Sequence, residues 1–147
     1  MNIKILNNKL TKDLLPSRST EGSCGYDLRA IIDENIILHP GEVKLISTGF
    51  ALNMQDPNMA AFIFPRSGLG HKHGIVLGNS TGVIDSDYQG EIKVSLYNRS
   101  TEDFIISFGD RIAQLVFMPV LLPKFDLVDE FEETQRGESG FGHTGVK

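Results

Sequence analysis

Short runs of alternating apolar and polar residues recur along the chain and predict β-strands. The clearest run is 91–98, in which Ile92, Val94 and Leu96 fall on one face and polar residues on the other. No window keeps apolar residues at i, i+3, i+4 and i+7 over three turns, so we expect at most one short helix, near residues 70–74. Gly and Pro residues separate many of the runs. The predicted strands are 2–6, 35–38, 42–47, 60–64, 91–98, 103–106 and 112–120.

This pattern predicts an all-β fold, a jelly roll in the form of a closed barrel or sandwich, because so many short strands must hide their edges. The length of 147 residues, with 40% hydrophobic and 22% charged residues, is that of one globular domain. From Asp126 onward, acidic residues and then glycines replace the apolar runs. We therefore predict a β-domain at residues 1–128 and a flexible tail, acidic and then Gly-rich, at residues 129–147.

The composition excludes several classes of protein. The chain has 14 Lys+Arg and 19 Asp+Glu, a formal net charge of −5, and no basic block, so we expect no nucleic-acid partner. The one cysteine, Cys24, excludes an intramolecular disulfide and a zinc site built from cysteines. No secretory signal is visible, and the longest apolar stretch, 115–122, is far short of a membrane span. We expect a cytoplasmic protein with no membrane partner.

A turn-rich segment at residues 82–90 holds two carboxylates and an aromatic hydroxyl. One interpretation is a hairpin whose Asp and Ser side chains cap backbone N–H groups. The other is a catalytic site, for which Asp85 is the better candidate of the pair. It directly follows the apolar residues Val83 and Ile84, where partial burial would raise the basicity of its carboxylate, whereas Asp87 lies in the middle of the turn.

Three further segments suggest either phosphate recognition or an ordinary structural role. Residues 65–70 supply a guanidinium, a hydroxyl and glycine N–H groups, the components of a phosphate cradle, although such a sequence also makes ordinary turns. Residues 109–114 add an Arg and an amide, but Asp110 beside Arg111 favours an internal ion pair. Residues 136–145 combine Arg, Gly and an aromatic residue, which suits either a lid or an unstructured terminus.

His71 and His73 suggest a metal site if they lie on one face of a strand. With no further ligand at a zinc spacing, a surface or packed role is favoured.

Taken in order, five segments resemble the five ordered motifs of the homotrimeric deoxyuridine triphosphatases (dUTPases), and in particular their bacterial branch. The resemblance implies a jelly roll of the β-clip kind that assembles as a homotrimer, with active sites at subunit interfaces. It implies Mg²⁺-dependent hydrolysis of dUTP to dUMP and pyrophosphate, which limits uracil incorporation into DNA and supplies dUMP for dTMP synthesis. The five segments are residues 23–30, 65–70, 82–90, 109–114 and 136–145.

The resemblance also implies a role for each matched residue. Asp85 is the base that activates water for attack on the α-phosphorus, and Tyr88 packs under the deoxyribose. Mg²⁺ is bound by the triphosphate oxygens without a direct protein ligand, and Asp27 contacts the water molecules around the ion. The uracil is bound by Asn79, Lys93 and the backbone of residues 82–85, including Val83 and Ile84. The phosphates are bound by Arg66, Ser67, Gly68 and Gln114, and Arg136, Phe141, His143 and Thr144 close over the substrate from a neighbouring subunit.

Three positions depart from the family pattern: Cys24 replaces the usual Ala, Ser139 the usual Gly, and His143 a frequent Ser. At Ser139, a positive φ would cost about 1 kcal/mol for a non-Gly residue and would loosen lid closure. Two alternatives are a deaminase of deoxycytidine triphosphate and a non-catalytic dUTP sensor. The deaminase needs a glutamate in a matching motif, which is not found. The sensor would have lost Asp85 or the tail, and both are present.

Overall fold

A computed structural model describes residues 1–134 and 136–137 and confirms the predicted all-β fold. One short helix, α1 (Ser67–His73), and one 3-10 turn at Lys12–Leu14 accompany ten strands in the described residues. The strands are β1 (Asn2–Ile5), β2 (Tyr26–Arg29), β3 (Ile36–Leu38), β4 (Val43–Asn53), β5 (Met59–Pro65), β6 (Ile75–Leu77), β7 (Gly82–Ile84), β8 (Glu91–Asn98), β9 (Phe104–Ile106) and β10 (Arg111–Pro119).

The strands form two four-stranded antiparallel sheets and a two-stranded ribbon. The first sheet has the order β1-β4-β8-β6, the second β2-β10-β5-β7, and the ribbon pairs β3 with β9. Neighbours in the sheets are mostly distant in the sequence, as expected of a jelly roll. β7 lies at an edge of the second sheet and β8 lies inside the first, so residues 85–90 cross from one sheet to the other.

The core lies against the inward faces of these sheets. In β8 the alternation is as predicted: Ile92, Val94 and Leu96 are at most 1% exposed. Asn98 ends the strand as a buried polar residue, and its side-chain amide donates to the backbone carbonyls of Leu38 (2.8 Å) and Glu102 (2.7 Å). These bonds remove the cost of burying an amide and fix the end of β8.

Strand β4 is longer than predicted because Gly49 lies inside it as a bulge. Gly49 has φ +73°, and the register between β4 and β8 shifts between Ser47 and Ala51. A glycine adopts this conformation without the steric cost of a Cβ, so the strand bends and continues. Its first half pairs with β8 and its second half with β1. The predicted end of the strand at residue 47 is therefore wrong.

Three strands, β2, β6 and β7, are absent from the prediction, and each has only three or four residues. They are too short for a period of two to be recognised. The predicted short helix exists but begins earlier, at Ser67, and ends at His73, followed by the C-cap Gly74 with φ +67°. His71 and His73 consequently lie on a helix, so the strand geometry behind the metal interpretation is wrong.

After β10, residues 121–134 form no helix or strand. Several of their apolar side chains project from the chain; Leu121, Phe125 and Phe131 are more than 90% exposed. Within the described residues, no helix is long and apolar enough to cross a membrane.

Candidate active site in two separate cavities

The aspartate cavity, of about 480 Å³, lies between the outward face of the first sheet and the loop after β7. It brings together five of the predicted site residues and adds two that the sequence analysis did not select, Leu45 and Glu91. The lining residues are Leu45, Val83, Ile84, Asp85, Tyr88, Glu91 and Lys93. The predicted Asn79 is exposed in the turn after β6 and is not one of the lining residues.

Asp85 directly follows β7, as predicted, but it is exposed rather than partly buried. The reason is that β7 pairs only with β5, so the end of this edge strand is uncovered within one chain. Within the described residues, the Asp85 carboxylate has no hydrogen-bond partner or ion pair. The carboxylate oxygens are therefore available to a ligand.

Tyr88 is positioned by a turn and by its own hydroxyl. Its backbone N–H donates to the carbonyl of Asp85 at 3.2 Å, which closes a turn that holds the two residues together. Its phenolic hydroxyl donates to the carbonyl of Glu91 at 3.2 Å. The side chain is 45% exposed, so one part of the ring faces the cavity while the hydroxyl is anchored at the start of β8.

Glu91 organises the wall of the aspartate cavity. Burial alone would raise the pKa of its carboxyl, but hydrogen bonds from the Ser47 hydroxyl and the Gly49 N–H, together with the Lys93 ammonium, lower it. The Gly49 bond measures 3.1 Å, and Lys93 Nζ lies 3.4 Å from a carboxylate oxygen. The ionised Glu91 thus ties β8 to the β4 bulge and holds the Lys93 side chain. The sequence does not reveal this role, because Glu91 there is simply an acidic residue on the polar face of an alternating strand.

The segment between β7 and β8 is not the hairpin that the sequence suggested. β7 pairs with β5, whereas β8 pairs with β4 and β6. In the part of the chain that the structure describes, the outer edge of β7 is unpaired, so the N–H and C=O groups of alternate residues in 82–84 face the open side of the strand. Such a rigid row of donors and acceptors can recognise the edge of a planar base.

The arginine cavity, of about 340 Å³, is lined mainly by residues of the predicted segments 23–30, 65–70 and 109–114. At its centre Asp27 pairs with two cations: Arg66 Nε is 3.4 Å from one carboxylate oxygen and Arg111 Nη1 is 3.2 Å from the other. Arg66 also donates to the carbonyl of Arg111 at 2.9 Å. The lining residues are Ser19, Gly22, Ser23, Cys24, Gly25, Asp27, Arg66, Arg111 and Gln114.

A bulge in β10 brings Arg111 into this cavity. Residues three apart on a regular strand point to opposite faces, but the register of β10 against β2 shifts between Arg111 and Ala113. Arg111 and Gln114 therefore both line the arginine cavity. The predicted ion pair of Arg111 exists, although its partner is Asp27 of β2 and not the neighbouring Asp110. Arg111 is not among the predicted site residues, because the bulge that places it beside Gln114 is not visible in the sequence.

Ser67 and Gly68 follow Arg66 at the start of α1, and both are exposed. The first N–H groups of a helix have no partner inside the helix, so they are available to an anion. Arg136 is described and exposed. Phe141, His143 and Thr144, as well as Ser139, lie outside the described residues.

The two cavities have no lining residue in common. In the antiparallel pair of β5 and β7, Ile84 is opposite Ala61, near the start of β5, whereas Arg66 follows the end of β5. Asp85 and Arg66 are thus about six residues apart along β5, or roughly 20 Å at 3.3 Å per residue. One chain therefore presents the predicted base and the predicted phosphate ligands on different parts of its surface.

The chain is similar to proteins of known family. The dUTPase family model matches residues 12–145. The deoxyuridine 5'-triphosphate nucleotidohydrolase of Haemophilus influenzae (strain PittEE) is 58% identical over 146 residues, 99% of this chain and 97% of that protein. The Staphylococcus bacteriophage 80alpha dUTPase with dUPNHPP has a TM-score of 0.81 and 28% identity, covering 99% of this chain and 98% of that one. A mutant dUTPase from phage phi11 of S. aureus, which coordinates a structural Mg(II) ion, has a TM-score of 0.78 and 25% identity and covers 90% of this chain and 98% of that one.

Proposed function

The chain belongs to the dUTPase family, and we propose that it hydrolyses dUTP to dUMP and pyrophosphate where the aspartate cavity of one subunit meets the arginine cavity of another. The observation that carries the proposal is the separation of a free carboxylate, Asp85, from a cluster of cations, each in its own cavity. The reaction removes dUTP before it enters DNA and yields the precursor of dTMP.

In this proposal Asp85 is the general base. Its carboxylate has no competing hydrogen bond within the described residues, so it can accept the proton of a water that attacks the α-phosphorus. The oxygen of that water forms the new bond to the α-phosphorus, and pyrophosphate leaves with the electrons of the bridging bond. The subunit that brings the arginine cavity would also exclude bulk water and so strengthen each charge interaction.

Base selection depends on the backbone around β7. Uracil presents an acceptor, a donor and an acceptor, whereas cytosine presents a donor and two acceptors. A side-chain amide such as that of Asn79 can rotate to match either base. The N–H and C=O groups of residues 82–84 cannot rotate, so we propose that they discriminate between the bases, supported by Lys93 and by the apolar contacts of Val83 and Ile84.

Phosphate binding is assigned to Arg66, Ser67, Gly68 and Gln114, with Arg111 as an addition that the structure suggests. Arg66 and Arg111 are both oriented by Asp27 and keep guanidinium donors that the carboxylate does not use. Gln114 offers an amide in the same cavity. Together these groups suit the negative charge of a triphosphate chain.

Mg²⁺ is proposed as the cofactor, bound through the triphosphate oxygens. The described residues hold no group of three or more His, Cys, Asp or Glu placed to bind a metal, so the donor set fits an ion that keeps several of its waters. Asp27 fits a contact with that water shell, because its two oxygens accept one pair each and retain further lone pairs. When bound, the ion would neutralise charge on the phosphates.

A homotrimer is proposed because it would join the two cavities. The separation of roughly 20 Å along β5 prevents one chain from completing the site alone. Exposed apolar side chains, among them Leu45, Val83 and those of residues 121–131, offer surface for subunit contacts. A mass in solution of three times the 16.2 kDa chain is expected by analytical ultracentrifugation, and a monomer with full activity would contradict the proposal.

The tail completes the proposal. Residues 129–147 would follow the β-domain of residues 1–128 and close over a neighbouring site, with Phe141 over the base and Arg136, His143 and Thr144 at the γ-phosphate. The cytoplasm, where dUTP arises and Cys24 would remain reduced, is the proposed compartment.

The first experiment is a nucleotide panel. Purified protein with Mg²⁺ is mixed separately with dUTP, dCTP, dTTP and UTP, and products are followed by phosphorus NMR. Monophosphate and pyrophosphate from dUTP alone are expected. Reaction of several nucleotides would contradict the assigned base and sugar contacts, and tight dUTP binding without reaction would favour a sensor.

A further inference from the structure

Gly90 is in contact with the ring of Tyr88 at the last position before β8. A Cβ built on Gly90 would lie 2.6 Å from Cζ and 3.0 Å from Cε2 of Tyr88, and closer still to its hydroxyl oxygen. Real Cβ atoms do not approach other heavy atoms this closely. Any side chain at position 90 would therefore have to displace the ring.

The backbone of Gly90 does not itself require glycine. The glycines with positive φ in the described residues are Gly41, Gly49, Gly74, Gly109 and Gly137, and Gly90 is not among them. A left-handed backbone conformation is therefore not the reason for glycine at this position. The three heavy atoms nearest to the position of the missing Cβ, apart from those of the adjoining residues, all belong to the side chain of Tyr88.

We propose that Gly90 is a positioning residue that sets the ring of Tyr88 and through it the selection of deoxyribose against ribose. The inference rests on the proposed function and on the position under the deoxyribose that the family resemblance implies for Tyr88. The ring is held at three points: the turn from Asp85, the hydroxyl bond to the Glu91 carbonyl, and the flat surface of Gly90. Of these three, only the absence of a side chain at Gly90 allows the ring to lie close to the backbone.

The expected consequence of a side chain is a displaced ring. Tyr88 is 45% exposed, so it can rotate outward, whereas the start of β8 is fixed by its pairing with β4. The rotation breaks the bond from the hydroxyl to Glu91 and removes the surface against which a 2′-hydroxyl would clash. Displacements of about 1 Å at a reacting group can change rates by about 100-fold, so loss of selectivity should be easy to measure.

The test is Gly90→Ala, analysed with Tyr88→Ala and the double variant. Gly90→Ala should lower the ratio of kcat/KM for dUTP to that for UTP by about 10-fold or more, with little change in melting temperature. Tyr88→Ala should cause a similar loss. In the Tyr88→Ala background, Gly90→Ala should change nothing further, because no ring remains to be displaced.

A second measurement needs no nucleotide. The chain has three tyrosines, so ring signals of ¹³C-labelled tyrosine can be resolved by NMR, with Tyr88 assigned through Tyr88→Phe. Gly90→Ala should shift the Tyr88 signals and leave those of Tyr26 and Tyr97 unchanged. An unshifted Tyr88 signal, or unchanged sugar selectivity with a shifted signal, overturns the inference. Absence of dUTP hydrolysis by the unmodified protein would instead overturn the proposed function, whatever the NMR result.

Discussion

The aspartate cavity and the arginine cavity differ in how far apart their residues lie in the sequence. Most of the aspartate cavity comes from residues 83–93, with only Leu45 from elsewhere. The arginine cavity is assembled from a loop before β2 and from the ends of β2, β5 and β10. The first presents fixed backbone groups, an aromatic ring and a carboxylate; the second presents cations held by one acidic side chain. In the proposed function, chemistry and base selection thus belong to a local segment of the chain, and phosphate binding to residues that are distant in the sequence.

The largest effect is expected from Asp85→Asn in the aspartate cavity. The amide keeps the size of the side chain but cannot act as a base, so kcat should fall by about 10²- to 10⁴-fold while dUTP still binds. Steady-state kinetics and equilibrium binding measure the two effects. Asp87→Asn, the same change two residues away in the turn, is the matched control and should remain active. Near-normal turnover of Asp85→Asn would mean that another group is the base.

Truncation before Arg136 leaves both cavities intact and removes the proposed lid. A large fall in kcat/KM for dUTP is expected, approaching that of Asp85→Asn, because water would no longer be excluded from the joined site. The melting temperature should change little. A fully active truncated protein would show that the two cavities suffice without the tail.

Mixing two inactive variants tests whether the cavities belong to different subunits. Asp85→Asn and Arg66→Ala chains should each be impaired as homo-oligomers. After co-refolding in equal amounts, about a quarter of the sites in a symmetric assembly would combine an intact Asp85 with an intact Arg66. Activity should rise above that of either parent. No recovery, with mixed assembly verified by mass spectrometry, would mean that each site lies within one chain.

A smaller effect is expected from Gly25→Ala in the arginine cavity. A Cβ at Gly25 would lie 2.6 Å from Oε1 of Gln114, so the amide must move and would lose the contact with phosphate that is proposed for it. A lost hydrogen bond to a charged group predicts a KM for dUTP about 10-fold higher, with a smaller change in kcat. In a Gln114→Ala background the same substitution should add nothing. A further rise in KM when Gly25→Ala is added to Gln114→Ala would mean that Gly25 does not act through Gln114.

The smallest effect concerns acid stability and Glu91. The pKa of its carboxyl is below its ordinary value of 4.5, because Ser47, Gly49 and Lys93 outweigh the opposing effect of burial. The stabilisation is therefore present above pH 4.5 and is lost as the pH falls through the lower, folded-state pKa. Glu91→Gln should lower the melting temperature at pH 7 by roughly 2–4 °C. It should also reduce the decrease in melting temperature that the unmodified protein shows as the pH is lowered. Glu34→Gln, a control at an exposed position, should show the same decrease in melting temperature at low pH as the unmodified protein. The same pH dependence for Glu91→Gln and Glu34→Gln would contradict this role of Glu91.

Local patterns predicted the fold well where a strand is long and faces the core on one side. β8 has the predicted bounds because its alternation extends over eight residues. The strand predicted at residues 42–47 ends too early, because a sequence does not show whether a chain with positive φ, as at Gly49, continues to pair. β7 was missed because three residues are too few for a pattern, yet Asp85 was still selected from its position after an apolar pair.

The sequence by itself determined the all-β class and the selection of Asp85, because alternation and turn chemistry are local properties. Most of the other candidate ligands came from the resemblance of five ordered motifs to those of the dUTPases. Only the tertiary structure decided that Arg111 joins Gln114, that Glu91 braces Lys93, and that Gly90 accommodates the ring of Tyr88. It also decided that the two cavities are separate. Bulges, strand order and register are set by packing between residues distant in the chain, so no local pattern encodes them.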